Sequence, residues 1–266
     1  TGCATEANNL AVLGVARALR ERGRHLVTSA VEHPAVSAPM AWLAREGWEV
    51  TVLRVDSSGR VNPDDLAAAL RDDTVLVSVM HANNEVGTLQ PVAELAAISH
   101  ARGVLFHSDA AQSAGKVELD VAELDVDLLT LAGHKFYAPK GIGALYLRPG
   151  TPIQPVLHGA GHEHGLRPGT ENVPHIVGLG AAAELARQRL PAISAQLAQR
   201  RDALHARLRQ AIPGLLLNGH PQHRLPNTLN LSFPVVDGRA LLAAAPGIAA
   251  SVGSACHSDD DAVSGV

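Results

Sequence analysis

Lys135 stands in the stretch TLAGHKFYAPK, residues 130–140. An apolar run, DLLTLAG, ends at the adjacent pair His134 and Lys135, and the chain then turns through Pro139 and Gly141. That pattern sets an amine at the carboxyl edge of a sheet, where open α/β folds put their ligands. A lysine shielded from water loses its proton and attacks a carbonyl, so it can hold an aldehyde cofactor as a Schiff base. By itself Gly-His-Lys is weak, because most lysines at strand ends are solvated charges. A second group lies upstream. Residues 104–106 read as a short buried strand, and Asp109 follows just beyond it. A carboxylate there can keep a pyridine nitrogen protonated, which makes the ring of pyridoxal phosphate an electron sink. A capping aspartate is the competing reading for Asp109 alone.

The amino end supplies a third piece. Gly2, Cys3 and Ala4 precede Thr5 and a helical pattern with Leu10, Leu13 and Ala16 to Ala18 on one apolar stripe, closing near Gly23. A tight turn of small residues opening a helix presents backbone N–H groups and the positive dipole end to a phosphate. Thr5 adds a hydroxyl. An ordinary capped helix remains the alternative for this segment alone.

Together these stretches resemble the cysteine desulfurases, pyridoxal-phosphate enzymes that take sulfur from L-cysteine. The resemblance runs nearly end to end: GCATEANNLA at 2–11, EHPAV at 32–36, HANNEVGTLQPV at 81–92, HSDAAQSAGK at 107–116, AGHKFYAPKGIGALYLR at 132–148, GLRPGTENV at 165–173, NTLNLSFP at 227–234 and SVGSACHS at 251–258. The form GSACHS resembles the group that serves general iron–sulfur assembly. The resemblance implies fold type I of the pyridoxal-phosphate transferases. It makes Lys135 the Schiff-base lysine, His134 a phosphate contact and Asp109 the partner of the pyridine nitrogen. It gives Gln112 a bond to the cofactor's phenolic oxygen, sets His33 on the ring as stack and proton shuttle, and puts Asn84 beside substrate and ring oxygen. Ala4 and Thr5 match the phosphate loop. Thr170, in RPGT, resembles a residue that reaches the phosphate of a second subunit, which implies a homodimer. Cys256 matches the sulfur acceptor that carries a persulfide. Selenocysteine lyase is the nearest alternative activity, and a catalytically incomplete cofactor-binding fragment is another.

Departures are few. Ala132 stands where the family usually has Ser, so one phosphate hydroxyl is absent. His164 replaces a common Arg, Cys3 a commoner Gly or Ser, and Ala138 a commoner Gly. The chain opens inside the phosphate motif and stops shortly after Cys256. It therefore reads as truncated at both ends, without the family's amino-terminal arm or the arginine that grips the substrate carboxylate.

Composition bounds the rest. A chain of 266 residues with 46% hydrophobic content is enough for one large domain and part of a second. With only 3% aromatics, the core must be built of Ala, Leu and Val. A net charge of -4 gives no reason to expect nucleic acid or an anionic membrane as partner. Two cysteines, Cys3 and Cys256, make no disulfide framework, which suits a reducing cytoplasm. The longest uncharged run, 240–257, is broken by Pro246 and glycines and is no membrane span. The expected partners are L-cysteine, a second copy of the chain, and a sulfur acceptor or iron–sulfur scaffold protein.

Short apolar strands are expected at 25–30, 50–55, 74–80, 104–107, 127–131 and 143–147, with helical patterns between most of them. Asn62 and Pro63 open one helix; Pro91 opens another, which Gly103 closes. This alternation predicts an α/β fold, a mainly parallel sheet covered on both faces. Residues 171–212 read as a long helical stretch interrupted near Pro191. Beyond Pro213, strands at 215–217 and 228–233 and a helix at 238–245 read as a smaller α+β unit. The expected division is a large cofactor-binding domain over 1–190, then a linker helix and partial small domain over 191–266 that carries the Cys256 loop.

Two decoys compete. IVGLGAAAE at 176–184 contains G-x-G-x-x-A, a dinucleotide-loop pattern, but lacks a proper preceding strand and reads better as helix. HGAGHEHG at 158–165 gathers His158, Glu163, His162 and His164 at spacings that suit zinc, but reads better as a glycine-rich loop with incidental histidines. No metal is expected.

Overall fold

The computed structural model describes residues 1–253. In chain order the elements are α1 (Ala4–Leu19), β1 (His25–Ser29), α2 (Pro34–Arg45), β2 (Glu49–Leu53), α3 (Pro63–Ala69), β3 (Thr74–Ser78), α4 (Val92–Ala101), β4 (Leu105–Asp109), α5 (Val121–Leu124), β5 (Leu128–Ala132), β6 (Gly143–Leu147), α6 (Val173–Ala211), β7 (Leu216–Asn218), β8 (Asn230–Ser232) and α7 (Gly238–Ala244). The first six strands form one sheet in the order β2-β1-β3-β4-β5-β6, parallel except for the antiparallel β5–β6 pair. The expected α/β architecture, with helices on both faces, is what the chain adopts.

Side-chain alternation along each strand builds two cores. On β1, β3 and β5, Leu26, Leu76 and Leu128 point to the face covered by α1 and α2, where they meet Val12, Val15, Met40 and Leu43. Their neighbours Val27, Val77 and Leu129 point the other way, with Phe106, onto Leu66 of α3 and Leu95 and Ala96 of α4. Each such side chain contributes ~1.5–3 kcal/mol by leaving water. Local chemistry sets the ends. The Asn62 side chain accepts from the Asp64 N–H at 3.1 Å ahead of Pro63, which caps α3. Gly143 lets β6 approach the start of α1, since a Cβ there would lie 2.7 Å from the carbonyl carbon of Cys3.

Several boundaries differ from expectation. Asp109 is the last residue of β4 rather than the residue beyond it, because its backbone pairs in register with Thr130 of β5. The stretch 171–212 is not interrupted at Pro191: α6 runs unbroken for 39 residues with that proline inside it. Proline removes one N–H donor and crowds the preceding turn, but the flanking Ala- and Leu-rich turns carry the helix through. The GLG segment at 178–180 lies within α6, so no strand precedes it. β7 and β8 pair antiparallel, and the bonds Leu89 N–H to His223 O (2.9 Å) and Leu225 N–H to Gly87 O (2.8 Å) tie the segment before β8 to the loop after β3.

Pro191 is exposed, so no packing offsets its cost. Pro191→Ala is expected to raise the unfolding free energy by about 1–3 kcal/mol in urea titration, with unchanged helical circular dichroism. An unchanged or lower stability would contradict this account of α6.

Candidate active site

Four strand ends converge on one cavity of about 390 Å³ at the carboxyl edge of the sheet. From the end of β4 come Asp109 and, in the turn beyond, Ala111 and Gln112; from the segment after β3 comes Asn84; from the turn after β1 comes His33. A 3-10 turn after β5, Gly133–Phe136, delivers His134 and Lys135, and the start of α1 supplies Cys3, Ala4 and Thr5. Thus Ala4, Thr5, His33, Asn84, Asp109, Gln112, His134 and Lys135, scattered over 132 positions of sequence, border one space. Ala132 and Cys3, two of the departures, border it as well. Thr170 does not. It is exposed in the loop before α6, and that loop is tied to α1 by the Arg167–Glu6 ion pair at 2.8 Å. Cys256 lies outside the described residues, although Ser251 and Gly253, which lead toward it, border the cavity.

Asp109 is the best-held group. Only 4% exposed, its Oδ2 accepts from Asn8 Nδ2 at 2.6 Å and its Oδ1 from the Ala111 N–H at 2.8 Å. Burial pushes its carboxyl above the ordinary value, while those two donors and the charges of His33 and Lys135 pull the other way. His33 caps α2, with Nδ1 accepting from the Ala35 N–H at 3.0 Å. A nitrogen that accepts carries no proton, so the neutral ring holds its proton on Nε2. The adjacent asparagines divide the work. Asn83 is fully buried, accepts from the Glu85 and Val86 N–H groups and donates to Val31 O. It fixes the loop, which leaves Asn84 to border the cavity.

Lys135 is exposed in the single chain, contrary to the shielding its sequence context suggests, because the 3-10 turn sets it at the open rim. The partly buried amine is Lys116, whose Nζ donates to Gln112 O at 2.7 Å. Burial first, then the nearby charge of Lys135, pushes Lys116 down to about 8. His134 is held below its ordinary value by burial and by the charges of Lys135, Lys140 and Lys116. Of these, Lys135 borders the cavity itself and offers its charge to an anion there.

Asn8 and Lys116 carried no sign of a role in local motifs. The available signal for Asn8 was an amide on the apolar stripe of α1, three residues before Ala11; such a group needs a buried partner. For the histidines at 158–165, no group of three or more metal-ligating side chains occurs among the described residues.

The Aminotransferase class-V family model matches residues 1–262. The chain is 49% identical over 260 residues to a cysteine desulfurase IscS of Methanosarcina thermophila, covering 97% of this chain and 64% of that one. It is 47% identical over 260 residues to a cysteine desulfurase IscS of Dictyoglomus turgidum, covering 97% of this chain and 66% of that relative. Among solved structures, a NifS-like protein superposes with a TM-score of 0.88 at 40% identity, over 93% of this chain and 68% of that one. The chain belongs to the class-V aminotransferase family, whose members depend on pyridoxal phosphate and share fold type I. It spans just under two thirds of the curated relatives' lengths.

The cavity fits that cofactor on its own features. α1 starts at Ala4 with no side chain capping it, so its first amides are available to a phosphate. A buried carboxylate, Asp109, borders the same space as the Lys135 amine.

Asn8→Ala removes a donor to a buried carboxylate and is expected to cost about 1.5–3 kcal/mol in urea unfolding. Asn8→Asp, which sets a second carboxyl against the first, should cost more at pH 8 than at pH 5. Variants as stable as the wild type would show that Asp109 does not depend on α1.

Proposed function

We propose that this chain carries the cofactor-binding body of a cysteine desulfurase, which converts L-cysteine to L-alanine and leaves the sulfur as a persulfide on Cys256 for iron–sulfur or thio-cofactor assembly. The observation that carries the reading is the meeting of buried Asp109 with Lys135, His33 and the uncapped start of α1 around one cavity. Near-half identity to relatives named cysteine desulfurase supports it.

When bound, pyridoxal phosphate supplies an aldehyde for an amine to condense with and a ring that delocalises negative charge. The chain's residues then have separable tasks. The first amides of α1, at Ala4 and Thr5, hold the phosphate with His134 beside them. Asp109, ionised, holds a proton on the ring nitrogen. Gln112 and Asn84 would hold the cofactor by its phenolic oxygen, and His33 would stack on its ring. Lys135 is the amine that holds the cofactor and moves the proton at the substrate α-carbon. His33 exchanges a proton with the substrate thiol through Nε2. Cys256, as thiolate, attacks the substrate sulfur. The new S–S bond forms as the substrate C–S bond breaks, its electron pair stays with carbon, and carbon takes up protons to leave as alanine.

We take residues 1–190 as the cofactor domain and 191–266 as a linker helix and part of a smaller one. We also infer a homodimer, with Thr170 reaching the partner's phosphate site. Support for a dimer comes from α6, where Val173, Ile176, Val177 and Leu185 are exposed and Ala182 is the buried residue, and from Tyr137, 99% exposed beside Lys135. A sulfur-acceptor or scaffold protein would take the persulfide. No described helix is long and apolar enough to cross a membrane. A cytoplasmic site of action fits the use of a free thiol.

The test is alanine release from L-cysteine by the pyridoxal-phosphate-loaded chain, with selenocysteine in parallel. Faster turnover of selenocysteine would favour a lyase instead. Lys135→Ala should take up no visibly absorbing cofactor, and normal yellow colour in that variant would contradict its role. Cys256→Ala should bind cofactor and substrate yet form no persulfide; undiminished persulfide by mass spectrometry would remove Cys256 from the mechanism.

A further inference from the structure

Glu32 precedes His33 in the turn after β1, and no step above uses it. Its Oε1 accepts from Ser29 Oγ at 2.6 Å and from the Met80 N–H at 2.8 Å. One carboxyl thus ties the end of β1 to the segment after β3, and Met80 itself borders the cavity. Oε2 is shut away from water without a hydrogen-bond partner among the described residues. An ionised carboxylate would leave that oxygen charged and dry, which is costly. Asp109, the charged group that acts on Glu32 among the described residues, makes ionisation harder still. The two carboxyls are unequal. Asp109 has an N–H donor on each oxygen and is favoured by His33 and Lys135. Glu32 has both its donors on one oxygen, and among the described residues no cation favours its charge.

We propose that Glu32 is a positioning residue for the cofactor site, held as a neutral acid between the ends of β1 and β3 so that Asp109 keeps the negative charge of the pair. The inference rests on reading the cavity as a pyridoxal-phosphate site. Two roles follow. Neutral Glu32 sets the turn from which His33 caps α2, and it spares Asp109 a nearby like charge that would raise its own affinity for a proton and so weaken it as the charged group of the site.

Burial and the Asp109 charge push the Glu32 carboxyl up to about 8 from 4.5. The folded chain therefore holds a proton that the unfolded chain releases in this window. The stability that Glu32 provides is complete below about pH 4.5 and is lost as pH rises to about 8. Glu32→Gln is neutral at every pH and escapes that loss, whereas Glu32→Ala removes both hydrogen bonds.

The experiment uses thermal unfolding of the full chain from pH 5 to 9, infrared spectra, and titration with pyridoxal phosphate. The melting temperature of E32Q minus that of the wild type is expected to grow as pH rises toward 8. The wild type at pH 6.5 should show the C=O stretch of a protonated carboxylic acid, absent from E32Q. Pyridoxal phosphate should bind E32Q within about two-fold of wild type and E32A about ten-fold or more weakly. A flat melting difference, no protonated-acid band in the wild type, or affinity lost equally in E32Q and E32A would each overturn the proposal. The infrared band and melting difference need no cofactor, so a wild type that ignores pyridoxal phosphate would sink the site reading separately.

Discussion

A carboxylate buried at the end of a central strand is the constraint on which the rest of this structure depends. Taking the Asp109 charge out of water costs several kcal/mol unless donors replace the lost hydration. The chain provides one donor locally, the Ala111 amide, and one from 101 positions away, the Asn8 side chain. The second obliges α1 to lie across the sheet. That placement brings the uncapped start of α1 to the same cavity, and Gly143 allows it to sit there. A single electrostatic need thereby sets the uncapped start of α1 and the Asp109 carboxylate around one cavity.

The scaffold around that point is rigid for identifiable reasons. Parallel strands end together, so their following turns share one edge. Adjacent apolar residues on β1, β3 and β5 (Leu26 and Val27, Leu76 and Val77, Leu128 and Leu129) fill two separate cores and prevent the strands from slipping in register. Asn83 and Glu32 then lock two of the turns by accepting backbone N–H groups. Lys116 holds the turn after β4 by donating to the Gln112 carbonyl. By contrast Lys135 sits at an open rim with Tyr137 in left-handed backbone geometry beside it.

Much of this was legible from sequence because the relevant stretches are local and long. HSDAAQSAGK, AGHKFYAPKG and GCATEANNLA each declare a strand or helix end together with the groups it presents. Alternation of short apolar runs with helical patterns was enough to foresee the sheet and its covered faces. What escaped was long-range. Asn8 is one amide among apolar neighbours until β4 is folded against it. Asn84 was expected at the cavity and borders it; the reason, that Asn83 reaches Val31 instead, is not contained in the local sequence. The burial of Lys116 rather than Lys135 is set by packing that no local window contains. Pro191 misled because a proline weakens a helix without forbidding it.

The central claim is that Lys135, not its better-buried neighbour Lys116, is the amine that engages an aldehyde over Asp109. Incubating the chain with pyridoxal phosphate, reducing with borohydride, digesting and mapping the modified peptide by mass spectrometry decides it. The account predicts a stoichiometric pyridoxyl-phosphate increment on the peptide bearing Lys135, abolished by blocking the site with inorganic phosphate at high concentration. An increment on Lys116, or labelling spread over surface lysines without saturation, would contradict it.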